Sequence, residues 1–146
     1  MENIASPFGT ILFVDDEESD RELVSTFLRQ EGYTVLEADS YQRADAVFES
    51  NSGLVAMLIA DISLPDGNGC ELALTIRERK PNIRVLFVSG HVGAEVCKYY
   101  GLDVGDLYFL RKPFSRADLI NRVREMFAAA EPFPRLYPRR GRSSGA

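Results

Sequence analysis

Polar residues of a few chemical types stand directly after the apolar runs of this 146-residue chain. One apolar run ends in Asp61, and an earlier one ends in the acidic pair Asp15 and Asp16. Ser89 follows a further apolar run, and Lys112 follows the last one. Ligands of open α/β sheets bind where the carboxyl ends of the strands meet. If the apolar runs are parallel strands, the pattern predicts three carboxylates, a hydroxyl and an ammonium in one cleft.

Such a cleft suits phosphoryl transfer to an oxygen nucleophile. Three carboxylates repel one another unless cations neutralise them, and a hard divalent ion such as Mg²⁺ accepts oxygen ligands. The three negative charges then balance those of Mg²⁺ and Lys112. The metal and the ammonium hold the phosphoryl oxygens while a carboxylate attacks in line, and Ser89 donates a hydrogen bond to one oxygen.

Each of these residues also has a purely structural interpretation. Asp15 and Asp16 are suitable helix caps, and Asp61 is suited to closing a turn after a strand. Most lysines are solvated, as Lys112 would be in a loop, and serine before glycine is ordinary turn chemistry. What favours a functional site is that every one of these residues falls at the same end of a different predicted strand.

The elements that would position these residues alternate along the chain. Predicted strands cover residues 10–15, 33–38, 55–61, 83–88 and 107–110, and an amphipathic helix follows each one. Ser40 and Ser115 are the predicted caps of the second and fifth helices. This alternation predicts a parallel sheet with right-handed crossovers and helices on both faces.

Composition places the chain among ordinary soluble domains. The apolar fraction of 45% and the charged fraction of 27% are typical of globular proteins. No segment approaches the about 20 apolar residues of a membrane-spanning helix, and no signal peptide is evident, so a cytoplasmic location is expected. Cys70 and Cys97 lack the spacing of a metal site, and we expect free thiols.

The arrangement resembles the receiver domains of two-component response regulators, over about residues 8–128. The similarity is carried by the acidic pair, by Asp61-Ile-Ser-Leu-Pro-Asp-Gly-Asn-Gly69, by Ser89 and Phe109, and by the triplet Lys112-Pro113-Phe114. The resemblance implies a flavodoxin-like, doubly wound sheet of five parallel strands in the order 2-1-3-4-5, with five helices.

The resemblance also implies a role for each acidic residue. Asp61 would accept a phosphoryl group from a histidine kinase or a histidine phosphotransfer protein. Asp16 and Asp61, with the backbone carbonyl of Ser63, would bind Mg²⁺ directly, and Asp15 would act mainly through water. Lys112 would bind the phosphoryl oxygens.

The output that the resemblance implies is a switch in the face formed by the fourth helix, the fifth strand and the fifth helix. Ser89 would be drawn toward the phosphoryl group, and Phe109 would turn into the vacated space. Phenylalanine carries no hydroxyl to leave unsatisfied there, so a smaller energy gap between the inactive and active states is expected. Tyr108 should face the opposite side of the strand. The Lys112–Pro113 peptide bond would be cis.

Two positions beside the acceptor are expected to influence the lifetime of the phosphorylated state. Ser63 and His91 stand two residues beyond Asp61 and Ser89, where they would flank the path of hydrolytic water. The expected activity is that of a phosphoacceptor with self-dephosphorylation, not that of an enzyme acting on other substrates.

The predicted organisation is a lead over residues 1–8, a receiver domain over residues 9–130 and a flexible Pro/Arg-rich tail over residues 131–146. We expect no DNA-binding domain and no membrane contact. The expected partners are the phosphoryl donor, an unidentified downstream protein, and a second copy of the chain through the face of the fourth helix, fifth strand and fifth helix.

Two other functions remain open from the residues. A Mg²⁺-dependent phosphatase or phosphotransferase of the haloacid dehalogenase type also uses an aspartate at a strand end, but it needs a second aspartate where Ser63 stands. A receiver-like module that only binds partners is the other alternative, and the complete set of site residues disfavours it.

Overall fold

The computed structural model describes residues 9–90, 93–99 and 108–129. The predicted lead and tail, together with His91 and Leu107, lie outside these ranges. Among the helices that the structure describes, none has the length and apolar character needed to cross a bilayer.

Within the residues that the structure describes, seven strands and five helices follow one another. The strands are β1 (Thr10–Val14), β2 (Thr34–Ala38), β3 (Val55–Asp61), β4 (Ser63–Leu64), β5 (Gly67–Asn68), β6 (Arg84–Ser89) and β7 (Phe109–Arg111). The helices are α1 (Glu18–Gln30), α2 (Tyr41–Asn51), α3 (Gly69–Arg79), α4 (Gly93–Tyr99) and α5 (Arg116–Ala128).

Five of the strands form one parallel sheet in the order β2-β1-β3-β6-β7. Counting only these strands, the order is 2-1-3-4-5, and the predicted flavodoxin-like fold is confirmed. The register pairs Val14 with Ala60 in β3, and it pairs Asp61 with Val88 in β6. The carboxyl ends of β1, β3 and β6 therefore lie side by side at one edge of the sheet.

The sheet separates two apolar layers, because side chains alternate between its faces along each strand. In β1, Leu12 and Val14 pack on the side of α2, α3 and α4, whereas Ile11 and Phe13 pack on the side of α1 and α5. All four side chains are fully buried. This burial on both faces explains the uninterrupted apolar runs that predicted the strands.

Side-chain caps begin three of the helices. The Ser40 hydroxyl accepts a hydrogen bond from the Arg43 amide at 3.1 Å, and the Ser115 hydroxyl accepts one from the Asp118 amide at 3.0 Å. The Asn68 side chain accepts one from the Glu71 amide at 2.9 Å. Each cap satisfies an N–H that has no partner within its helix. Both predicted serine caps are confirmed.

The antiparallel hairpin of β4 and β5 was not predicted. Ser63 pairs with Asn68 and Leu64 with Gly67, so the loop after Asp61 is a hairpin that leads directly into α3. Strands of two residues are too short to show an alternating pattern, which explains why the sequence shows only turn residues here. The predicted fourth and fifth strands are also each displaced by about one residue.

The prediction of free thiols is wrong. Cys70 and Cys97 form a disulfide between α3 and α4, with their Cα atoms 5.8 Å apart, a separation typical of such bonds. Both residues are buried in the same apolar layer of the fold. The two cysteines are 27 positions apart in the sequence, and only the packing of α3 against α4 brings them together. Their spacing in the sequence therefore did not reveal the pair.

Candidate functional site

The side chains of Asp15, Asp61 and Lys112 meet at the carboxyl edge of the sheet. The Lys112 ammonium donates hydrogen bonds to Oδ2 of Asp15 and to Oδ2 of Asp61, each at 2.8 Å. The side chain of Asp15 is fully buried, and those of Asp61 and Lys112 are 10% and 21% exposed. The predicted convergence of these residues is thus found in the structure.

The mutual contacts of these groups determine their protonation. Burial raises the pKa of Asp15, although the hydrogen bond from Lys112 partly opposes this effect. Burial alone would lower the pKa of Lys112, but its hydrogen bonds and attraction to Asp15 and Asp61 outweigh burial and raise it. Lys112 consequently remains an ammonium at neutral pH.

Asp61 is held by the end of β3 and the loop that follows it. Its Oδ1 accepts a hydrogen bond from the Ser63 amide at 3.0 Å, and the Gly69 amide donates to the Ile62 carbonyl at 2.9 Å. A Cβ atom at Gly69 would overlap the carbonyl oxygen of Asp61, so only glycine permits α3 to begin this close to the strand. The carboxylate therefore projects from a closely packed junction.

Asp15 is fixed at the end of β1. Its amide donates to the Ala38 carbonyl of β2 at 3.1 Å, and its Oδ1 accepts from the Glu17 amide at 2.9 Å. The Arg21 guanidinium of α1 donates to the Asp15 carbonyl at 2.8 Å. These bonds leave Oδ2 directed at Lys112.

The acidic residues fit a hard divalent cation. Oxygen atoms from Asp15, Asp16 and Asp61 all lie within 4.8 Å of one another. Asp16 is exposed at the opening, whereas Asp15 and Asp61 are buried beneath it. A set of carboxylate oxygens open to water on one side suits Mg²⁺, which keeps several water ligands.

Ser89 is the last residue of β6 and pairs with Arg111 of β7, whereas Phe109 is the first residue of β7 and pairs with Phe87. Ser89 is 7% exposed, and its carbonyl accepts a hydrogen bond from the Lys112 amide at 2.8 Å. The ring of Phe109 lies 5.7 Å from that of Phe87 and packs on the layer of α2, α3 and α4. Tyr108 packs on the opposite layer, as predicted.

The peptide bond between Lys112 and Pro113 is cis, which confirms a further prediction.

The sequence interpretation missed Asp20. Its carboxylate, in the first turn of α1, lies 3.2 Å from the Lys112 ammonium and is 41% exposed. Asp20 follows Asp16 by four positions, but Asp16 precedes the first residue of α1, so helical spacing does not signal this contact in the sequence. Three carboxylates therefore contact Lys112, and Asp16 lies beside two of them. With one Mg²⁺, the four carboxylates and Lys112 would carry a net charge of −1, where the sequence predicted zero.

A cavity of about 360 Å³ adjoins Lys112 between α1 and the loops after β6 and β7. Its lining is mainly apolar, with two charged side chains at the edge nearest the acidic residues. The lining residues are Asp20, Leu23, Val24, Phe27, Gly90, Lys112, Pro113 and Phe114. Leu23 is 53% exposed, which is unusual for a large apolar side chain beside a charged site.

Comparison with known proteins gives concordant results. A family model described as the response regulator receiver domain matches residues 11–124. The sensor kinase CckA of Brucella abortus is 34% identical over 118 residues, which are 81% of this chain and 12% of that protein. The phosphate regulon transcriptional regulatory protein PhoB of Pseudomonas aeruginosa is 34% identical over 84% of this chain and 53% of its own length.

Among solved structures, the non-phosphorylated HemR receiver domain of Leptospira biflexa superposes with a TM-score of 0.72 at 28% identity. That match covers 86% of this chain and 99% of the HemR receiver domain. The chain thus corresponds to nearly all of an isolated domain, but to about half or less of the two longer proteins named above.

Proposed function

Because the chain belongs to the response regulator receiver domain family, we propose that Asp61 accepts a phosphoryl group from a histidine kinase or a histidine phosphotransfer protein. The observation that carries this proposal is the placement of the Lys112 ammonium 2.8 Å from the Asp61 carboxylate, in a pocket with two further acidic residues. The domain then signals through protein contacts.

In the proposed step, an oxygen of Asp61 forms a bond to phosphorus while the bond from phosphorus to the donor's imidazole nitrogen breaks. The electron pair of the broken bond stays on the nitrogen. Lys112 moves its hydrogen bond from the carboxylate to a phosphoryl oxygen, and the hydroxyl of Ser89 donates to another. Asp16, Asp61 and the Ser63 carbonyl would hold Mg²⁺, with Asp15 acting through water, and the bound ion would supply neutralising charge.

The surroundings of the acceptor favour a protein donor. The apolar rim of Leu23, Phe27, Pro113 and Phe114 opens beside the charged pocket. A donor protein that covers this rim buries apolar surface and brings its phosphohistidine to Asp61 from the adjoining side. The rim therefore gives binding energy to a protein donor that a small phosphodonor cannot use.

The proposed output is a rearrangement of the face formed by α4, β7 and α5. Ser89 and Lys112 belong to the ends of β6 and β7, and the amide of Lys112 is bonded to the carbonyl of Ser89. Movement of Ser89 toward the phosphoryl group opens space beside Phe109, which lies over Phe87 next to the cluster that contains Cys97 of α4. Docking of a downstream protein, or of a second copy of the chain, follows this change.

Incubation with a small phosphodonor and Mg²⁺ tests the proposal. The expected product is a single phosphoryl adduct on Asp61, detected by intact mass and not formed when Mg²⁺ is omitted or in the Asp61→Asn variant. Slow release of phosphate from this adduct, without continued turnover of the donor, separates self-dephosphorylation from phosphatase activity. An unmodified Asp61 under conditions in which a known receiver is labelled would overturn the proposal.

A second experiment addresses the donor. Purified histidine kinases of the source organism are phosphorylated and mixed one by one with the chain, and the rate of transfer to Asp61 is compared. One kinase is expected to transfer much faster than the rest. Leu23→Ser, which removes apolar surface from the rim without adding a charge, should slow that transfer without slowing labelling by the small donor.

A further inference from the structure

Three carboxylates surround the Lys112 ammonium, which also lies beside the proposed metal pocket. Its ammonium nitrogen lies 2.8 Å from Asp15, 2.8 Å from Asp61 and 3.2 Å from Asp20. An ammonium carries three N–H donors. Two of these donors form hydrogen bonds to Asp15 and Asp61, and Asp20 forms an ion pair with the same nitrogen. A phosphoryl oxygen that approaches Lys112 therefore competes with all three carboxylates for the ammonium.

The three carboxylates differ in how readily they release the ammonium. The side chains of Asp15 and Asp61 are 0% and 10% exposed, whereas Asp20 is 41% exposed. Water can solvate Asp20 when its contact with Lys112 is lost, but it cannot solvate Asp15 equally well. Asp20 is thus the carboxylate that competes with an incoming phosphoryl group at the surface of the site.

Asp20 also lies close to the phosphoryl acceptor. Its oxygen and that of Asp61 are within 3.2 Å and 2.8 Å of the same nitrogen, so the two oxygens are at most about 6 Å apart. At that separation the repulsion between two charges is substantial in a partly buried site. Asp20 also lines the cavity beside the pocket, and its side chain is partly exposed to solvent.

We propose that Asp20 is a specificity-determining residue that disfavours small, highly charged phosphodonors relative to donors of lower charge. The proposal deepens the phosphoacceptor function proposed above and rests on it. Asp20 acts in two ways, by holding one side of the Lys112 ammonium and by repelling the anionic phosphoryl group. A protein donor offsets this repulsion with contacts to the neighbouring apolar rim, which a small anion does not make.

The test compares two donors that differ in charge. With acetyl phosphate, a dianion at neutral pH, the Asp61 oxygen bonds to phosphorus as the bond to the acetate oxygen breaks and acetate leaves. With phosphoramidate, a monoanion whose nitrogen already carries three protons, the Asp61 oxygen bonds to phosphorus as the phosphorus–nitrogen bond breaks, and ammonia leaves with the electron pair. Labelling rates of wild type and Asp20→Asn are measured at saturating Mg²⁺, with a Mg²⁺ titration for each protein.

We expect Asp20→Asn to accelerate labelling by acetyl phosphate about threefold to tenfold, and labelling by phosphoramidate by roughly the square root of that factor. The ratio of the acetyl phosphate rates of variant and wild type should decrease as salt is added, because mobile ions screen partly exposed charges.

Glu18→Gln is the matched control. It removes an exposed acid from the same helical turn, two positions away and directed elsewhere, so both rates should remain unchanged.

Equal acceleration with both donors would overturn the charge-based selectivity, since displacement of Lys112 alone does not depend on the charge of the donor. Unchanged rates in Asp20→Asn would overturn the role of Asp20 altogether. Either result, with wild-type Asp61 still labelled, leaves the phosphoacceptor function intact. Absence of label on wild-type Asp61 with both donors would instead reject the proposed function and this inference with it.

Discussion

The ammonium nitrogen of Lys112 lies 2.8 Å from Oδ2 of Asp61, although 51 positions separate the two residues in the sequence. The same nitrogen neutralises Asp15, whose side chain is fully buried. The hydrogen bond from this cation partly opposes the burial of Asp15, which by itself disfavours the charged form of that carboxylate. This relationship predicts how the protein responds when the cation is removed.

Replacing Lys112 with Met should lower the free energy of unfolding by about 1–3 kcal/mol near pH 7, since two carboxylates lose a charged hydrogen-bond donor. The pKa of Lys112 is raised in the folded protein. The stabilisation of the fold by its ammonium is therefore complete below the unfolded pKa of about 10.4, and it is lost only as the pH rises through the higher folded pKa. The deficit of the variant should also shrink in acid, because burial raises the pKa of Asp15, and a protonated Asp15 no longer needs the cation. Urea unfolding at pH 4, 7 and 10 measures this, and an equal deficit at pH 4 and 7 would contradict it.

Substituting Gly69 with Ala should disturb the acceptor junction, because the added methyl group would overlap the carbonyl oxygen of Asp61. We expect a loss of about 1–3 kcal/mol in the free energy of unfolding, together with slower labelling of Asp61. Gly53→Ala is the control, since a Cβ at that position has no neighbour within 4 Å. Similar stability and labelling of the two variants would contradict this prediction, because α3 would then move away from β3 without loss of folding free energy.

The Phe109→Tyr variant tests the switch. The Phe109 ring lies over Phe87 within an apolar cluster, so a hydroxyl that turns inward would lose its hydrogen bonds with water. We expect the variant to need about threefold to tenfold more beryllofluoride than wild type for half-saturation, measured from NMR signals of β7. Tyr108→Phe alters the opposite layer and should leave the titration unchanged. Equal titration of Phe109→Tyr and wild type would contradict the proposed movement of this ring.

The disulfide between Cys70 and Cys97 should stabilise the domain by about 3–4 kcal/mol, because it closes a loop between positions 27 apart in the unfolded chain. Cys97→Ser, or reduction of the wild-type protein with a dithiol, should lower the free energy of unfolding by a similar amount. The variant itself should not respond to the reductant. A wild-type protein whose unfolding is unaffected by the reductant would contradict the bond, and counting thiols by mass after alkylation provides an independent check.

A carboxylate outside the pocket anchors the hairpin that follows the acceptor. Asp66 accepts hydrogen bonds from the amides of Gln42 and Tyr41 at 3.0 Å and 2.7 Å, and these bonds lower its pKa. Its contribution to stability is present above the unfolded value of 3.8 and is lost as the pH falls through the lower folded value. Asp66→Asn should therefore be less stable than wild type at pH 6, and the difference should vanish below the folded pKa. A difference that persists in urea unfolding at pH 2 would argue against this assignment.

The sequence alone determined the order of elements and the placement of most polar site residues. A strand buried on both faces needs an uninterrupted apolar run, as in Val55–Asp61, and a helix end needs a capping side chain, as at Ser40 and Ser115. Both features involve residues that are close together in the chain, so they can be recognised from the sequence without a structure. The resemblance to receiver domains supplied the strand order, which brings Asp15, Asp61 and Lys112 together.

Only the tertiary structure decided which side chains meet across elements. The contact of Asp20 with Lys112 depends on where α1 crosses the loop after β7, and the bond between Cys70 and Cys97 depends on how α3 and α4 pack on one face of the sheet. The capping of α2 by Asp66 likewise depends on a hairpin of two-residue strands. The periodicity of apolar residues shows which face of a helix or strand is buried. A contact between two elements depends in addition on their separation and crossing angle, and one apolar pattern is compatible with several such arrangements.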